Sequence, residues 1–218
     1  MKRCEITGIV LSENFPANVD DWSACDTIGW TIAHEAASLG KLPADFDQWE
    51  LATITGWTVA HTAAQSGSLP QNFDKWDMRD NEGLSVAHTA ARYGHLPPGF
   101  DKWDIALKGG WTVAHTAAAY GNLPQEFDQW GMANNIGFTV AHEAARRRHL
   151  PPNFDQWELS TVDGWTVAHE AAFFGAIPTS FDKWDMAAKN GVTVSQALEM
   201  YMQRIVRLKP HPLYDNAA

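Results

Sequence analysis

Six histidines, His34, His61, His88, His115, His142 and His169, stand 27 residues apart, and six aspartates, Asp47, Asp74, Asp101, Asp128, Asp155 and Asp182, recur at the same interval. Imidazoles and carboxylates hold metals and move protons, so these ladders are the first candidates for chemistry. Their regularity argues the other way. Two ligands of one zinc must each reach within about 2.1 Å of it, whereas equivalent side chains on stacked helices lie about 8 to 10 Å apart. A catalytic constellation needs different groups converging on one point, and a repeat lays out one group along a line. The sequence has no phosphate-cradling glycine loop, nucleophile elbow or His-Glu-x-x-His helix. It therefore predicts no catalytic residue, no metal site and no cofactor. Cys4 and Cys25, the two cysteines, lack Cys-x-x-Cys spacing and read as free thiols in a capping segment, with a bridged or reactive pair as the alternative.

The elements that must position these ladders follow from the repeat itself. A 27-residue unit recurs six times from Gly29 to Asn190, opening at Gly29, Gly56, Gly83, Gly110, Gly137 and Gly164, and a seventh copy begins at Gly191 and then departs. A fixed period of this length is the signature of a solenoid, in which each unit buries its apolar face against its neighbours. The third position is always a hydroxyl residue, such as Thr58 or Ser85, suited to cap a helix. That helix ends at a glycine such as Gly67, which can take the left-handed conformation. The alanine pair inside it, such as Ala63-Ala64, permits close approach. Leu69, Phe73 and Trp76, at spacings of four and three, predict a short second helix with Pro70 near its start. The six residues after each such Trp predict a tight turn or rudimentary hairpin. The expected fold is mainly α, a helical solenoid of six helix-turn-helix repeats with terminal caps.

Three segments follow: residues 1–28 as an N-terminal cap and degenerate half repeat, 29–190 as the six repeats, and 191–218 as a C-terminal capping helix and tail. Val19-Asp20-Asp21-Trp22 stands 27 residues before Phe46-Asp47-Gln48-Trp49, which marks the half repeat. Val194, Leu198, Tyr201, Ile205 and Leu208 have helical spacing, with Arg204, Arg207 and Lys209 in the last turns, where positive charge suits the dipole. The alternative for Val194 to Lys209 is a membrane or partner helix.

Gly-x-Thr-x-x-His-x-Ala-Ala-x-x-Gly, present as Gly110-Trp111-Thr112-Val113-Ala114-His115-Thr116-Ala117-Ala118-Ala119-Tyr120-Gly121, resembles the first half of an ankyrin repeat. Only Ser85 and Arg148 depart from that pattern. The ankyrin repeat is about 33 residues long, Val-Ala or Ile-Ala stands where it has Pro-Leu, and Leu-Pro-x-x-Phe-Asp-x-Trp differs from its second helix. The resemblance implies a shortened outer helix and a reduced hairpin. It also implies that His34, His61, His88, His115, His142 and His169 are structural, hydrogen-bonded to backbone or to the capping hydroxyl. His95 and His149 occupy another position and are expected to be exposed.

The resemblance further implies a protein-binding groove lined by the residue after each opening glycine and by the pair before each helix end. Carried over here, these include Trp30, Trp57, Leu84, Trp111, Phe138 and Trp165, and then Arg92, Tyr93, Tyr120, Arg146, Arg147, Phe173 and Phe174. Aromatic and arginine side chains dominate binding hot spots. The alternative is that the larger aromatics pack between shortened repeats.

Arg146-Arg147-Arg148 is a basic cluster in a chain of net charge -10, and Arg148 replaces the glycine found at Gly40, Gly67, Gly94, Gly121 and Gly175. Arg148 must adopt a left-handed conformation or change the helix end. The acidic balance disfavours nucleic acid, whose affinity rests on a basic footprint. The aspartates read as residues early in the second helix that keep its outer face solvated. The alternative is an acidic stripe that captures a basic protein or displaces nucleic acid. No apolar run approaches the roughly 20 residues that span a bilayer, and Ile6 to Leu11 is too short for a secretory core. The expected function is a noncatalytic module binding a protein partner in the cytoplasm, or in a host cell if the chain is an effector.

Overall fold

A computed structural model describes residues 1–16 and 19–208, with side chains to Ile205. Arg207 and Lys209, expected in the last helical turns, lie outside the described side chains. Among the described residues the fold is mainly helical: α1 Arg3–Val10, α2 Ile32–Ser38, α3 Val59–Ser66, α4 Val86–Tyr93, α5 Val113–Tyr120, α6 Val140–Arg147, α7 Val167–Phe173 and α8 Val194–Leu208. The chain divides into two compact units, Met1–Asn122 and Leu123–Ala218. In the first, α1 to α5 pack each against the next, and in the second α6 packs on α7 and α7 on α8.

Each short helix of α2 to α7 is set by its ends. Thr58 takes an extended conformation and accepts the N–H of His61, while His61 accepts the backbone N–H of Thr58. This is a capping box with histidine in place of the usual Glu. Gly67, Gly94 and Gly121 close their helices at φ 72°, 75° and 73°. Arg148 holds the same left-handed place at φ 65°, the one positive-φ residue other than glycine among those described. The Ala63-Ala64 pair and its equivalents are fully buried, so neighbouring helices meet on small side chains.

The expected second helix does not form. Phe73 N–H closes a tight turn on Pro70 O at 3.0 Å, and Met78 N–H closes another on Lys75 O at 3.2 Å, with no helix between them. The physical reason lies in the next helix, whose first N–H groups have no intrahelical partner. Val86 N–H donates to Met78 O and Ala87 N–H to Trp76 O, both at 3.0 Å, and the pattern recurs before every helix from α2 to α8. The carbonyls are turned outward to serve the following helix. The aspartates consequently do not sit at a helix start: Asp47, Asp74, Asp101, Asp128, Asp155 and Asp182 are exposed residues between two turns.

The spacing of four and three still buries its aromatics. Phe73 packs edge-on to Trp76 at 5.1 Å, and Trp76 to Phe100 of the next repeat at 5.3 Å. In the first unit this zigzag starts at Phe15 and Trp22. In the second it runs from Phe127 to Trp184. The reduced hairpin is a single antiparallel bridge per repeat, as between Ala52 and Thr58. Within the first unit successive hairpins are joined by Ile54 N–H to Ile28 O and Asn81 N–H to Thr55 O, both 3.0 Å.

The ends differ from the repeats. Ile6 and Val10 of α1 are fully buried against α2, and the Met1 ammonium donates to Cys25 O at 2.8 Å. Cys4 and Cys25 are exposed free thiols. In the second unit, Tyr201 of α8 lies against Gly175, and Arg148 donates to Phe174 O at 2.7 Å and to the Tyr201 hydroxyl at 2.9 Å.

Candidate protein-binding face

The six repeated imidazoles are buried beneath the face, and His34, His61, His88, His142 and His169 are engaged on both ring nitrogens. His61 Nδ1 accepts the Thr58 N–H at 3.2 Å and lies 2.7 Å from the Thr58 hydroxyl, which places the ring proton on Nε2, 3.0 Å from Leu84 O of the next repeat. His34, His142 and His169 repeat this with Trp57 O, Trp165 O and Val192 O at 3.0 Å, while His88 has its Nδ1 2.7 Å from the Ser85 hydroxyl and its Nε2 3.2 Å from Trp111 O. Burial disfavours the charged form. It pushes His34 and His88 down to about 4 and lowers His61 and His169, against the carbonyl bond that favours the protonated ring. Among the described residues no group of three or more His, Cys, Asp or Glu converges on a metal-sized site.

The residues after the opening glycines roof those imidazoles. Trp30, Trp57, Trp111 and Trp165 lie tilted on the histidine of their own repeat at 4.9 to 5.0 Å, as does Phe138 on His142 at 5.0 Å. Each indole N–H is also committed five residues on: Trp57 to Thr62 at 3.0 Å, Trp111 to Thr116 at 3.1 Å, Trp30 to Glu35 at 3.1 Å and Trp165 to Glu170 at 2.7 Å. The indoles are half-buried and fixed, and Trp30 is further covered by the Arg3 guanidinium at 3.8 Å.

The helix-end positions divide by unit. In the first, Tyr93 and Tyr120 are 43% and 49% exposed, and the exposed Arg92 guanidinium lies 5.8 and 5.3 Å from their ring centres. In the second, Arg146 donates to Glu170 at 2.7 Å and covers Phe138 at 4.6 Å, while Arg147 donates to Glu143 at 2.9 Å. Phe173 and Phe174 are half-buried, and Phe173 packs against the α7–α8 core. The arginine cluster of the second unit is therefore held largely within its own unit, by two carboxylates and by the end of α7.

Two positions of this face escaped the sequence reading. The first is the buried residue three before Arg92 and Arg146, which is Thr62, Thr89 and Thr116 from α3 to α5 but Glu35 in α2, Glu143 in α6 and Glu170 in α7. Its signal was an alternation of Thr and Glu within an otherwise constant helix. The second follows the helix-ending glycine. Ser68, His95 and Asn122 reach back to Ala37 O, Ala64 O and Ala91 O at 2.9, 3.0 and 2.9 Å, so His95 is exposed yet serves an orphan carbonyl.

The arrangement defines a class: a mainly helical repeat protein whose histidines hold one repeat to the next and whose helix ends carry its exposed aromatics. No protein-family model matches the chain, and no curated protein matches it. No helix among the described residues is long and apolar enough to cross a membrane.

Proposed function

We propose that this chain is an ankyrin-like, noncatalytic protein-binding module that acts as an adaptor, antagonist or effector in the cytoplasm of its own or a host cell. One observation carries the reading: Tyr93 and Tyr120 stay 43% and 49% exposed with the Arg92 guanidinium within 6 Å of both rings, although most other rings of the repeats are buried or half-buried. Aromatic and arginine side chains held on rigid elements are what a binding hot spot requires. The capping of His61 by Thr58, the left-handed Gly67 and the bridge between Ala52 and Thr58 support the ankyrin-like assignment.

The test is affinity capture with the native chain and a Tyr93→Ala/Tyr120→Ala variant at low and high salt. A partner kept at high salt and lost by the variant supports the reading. The exposed aspartates of the turns favour one rival, an acidic surface that captures a basic protein. Binding through them would collapse with salt and ignore the tyrosines.

A further inference from the structure

Arg92 and Arg146 occupy the same place in their repeats, 54 residues apart, yet their surroundings differ. Arg146 has two carboxylate partners, Glu170 at 2.7 Å and Glu143 at 3.7 Å. The residues that correspond to these around Arg92 are Thr116 and Thr89. Neither can neutralise a guanidinium, and no ion pair involves Arg92 among the described residues. The helices α3, α4 and α5 contain no Asp or Glu, and Arg92 is their one Lys or Arg, in a chain of net charge -10.

Thr116 already accepts the Trp111 indole N–H, so its hydroxyl is engaged. Arg92 presents its cation at an exposed position flanked by the rings of Tyr93 and Tyr120, with Gln65 bonded to the Tyr93 hydroxyl at 3.1 Å. Planar guanidinium pairs with carboxylate through charge-assisted, geometrically specific bonds. Beside Arg146 the chain supplies that carboxylate itself, and beside Arg92, within α3 to α5, it leaves it to be supplied from outside.

We infer that the α3–α5 face docks an acidic segment of a partner protein, whose side-chain carboxylate takes beside Arg92 the place that Glu170 takes beside Arg146. This rests on the protein-binding reading above and adds the chemistry of the partner. The tyrosine rings supply apolar contact on either side of the ion pair, and their hydroxyls are further donors to the incoming acid.

The test is selection of a displayed library of random 12-residue peptides on the full chain, followed by fluorescence-anisotropy titration of the best peptide. Enrichment of one Asp or Glu position is expected. Replacing that residue by its amide should weaken binding about 10-fold or more to the native chain and little to an Arg92→Gln variant, because a charge-assisted pair is then already broken. Thr116→Glu, which copies the Trp165–Glu170 arrangement, should neutralise Arg92 from within and weaken the acidic peptide by a similar factor without lowering the melting temperature. Peptides that depend on Tyr93 and Tyr120 but show no acidic position, or bind Arg92→Gln equally well, overturn the acidic partner and leave the protein-binding reading in place. Peptides indifferent to both tyrosines, or no binder at all, overturn both.

Discussion

Glu143 keeps one buried carboxylate oxygen, Oε2, without a hydrogen-bond partner, and the residue five positions earlier that would supply one is Phe138. At the equivalent places Trp30 donates to Glu35 and Trp165 to Glu170. Arg146 lies 3.7 Å from Oε2, near enough for charge but too far for a hydrogen bond.

Phe138→Trp is therefore expected to stabilise the protein, by about 1 to 2 kcal/mol if the indole reaches Glu143 as it reaches Glu170. Urea unfolding at neutral pH measures this. A lower midpoint for the variant would mean that the pocket over His142 cannot admit the larger ring.

Acid should weaken the fold in a defined window. His34 and His88 ionise near 4 when folded against an ordinary value of 6.5, so the unfolded chain binds more protons between those values. The stability of the neutral rings is complete above about 6.5 and is lost as pH falls toward about 4, with His61 and His169 adding in the same direction. Each of the first two contributes on the order of 3 kcal/mol. Urea midpoints unchanged between pH 8 and pH 5 would refute this account.

Arg148 combines a left-handed backbone with side-chain bonds to Phe174 and Tyr201. Arg148→Ala loses the bonds and keeps the strain, whereas Arg148→Gly loses the bonds and relieves it. The glycine variant should be the more stable of the two by about 1 kcal/mol. Both should raise amide hydrogen exchange in α8, and protection of α8 equal to the native chain would show that Arg148 does not hold it.

Thr58→Ala removes a capping hydroxyl that serves both the His61 N–H and its ring. A loss of about 2 kcal/mol is expected, at the upper end for a cap because His61 Nδ1 loses a buried partner as well. Thermal or urea unfolding decides it, and a neutral outcome would reduce the Thr–His pair to a packing contact.

How much of this was legible in the sequence depended on how local each cause is. Thr58, His61 and Gly67 specify their helix within one stretch, so its start and stop could be read directly. Leu69, Phe73 and Trp76 were misleading because two tight turns bury the same aromatics that a helix would. What decided between them was the destination of the Trp76 and Met78 carbonyls, which belongs to the next helix. Tyr93, Tyr120 and Arg92 belong to the helix-end positions that the resemblance marks, and the structure leaves all three exposed. The fixing of the indoles was not, because it needs a Trp and the buried Thr or Glu five residues later to be seen as one unit.

The outward-turned carbonyls also give the chain a direction. Val59 relies on Leu51 and Ala60 on Trp49, so a helix finds its acceptors in residues that precede it by no more than 11 positions. During synthesis those acceptors leave the ribosome before the helix that needs them, and each finished turn is a template waiting for the next segment. Closing loops this short carries little entropic penalty. Assembly within each unit can therefore proceed vectorially, one repeat at a time, without waiting for distant parts of the chain.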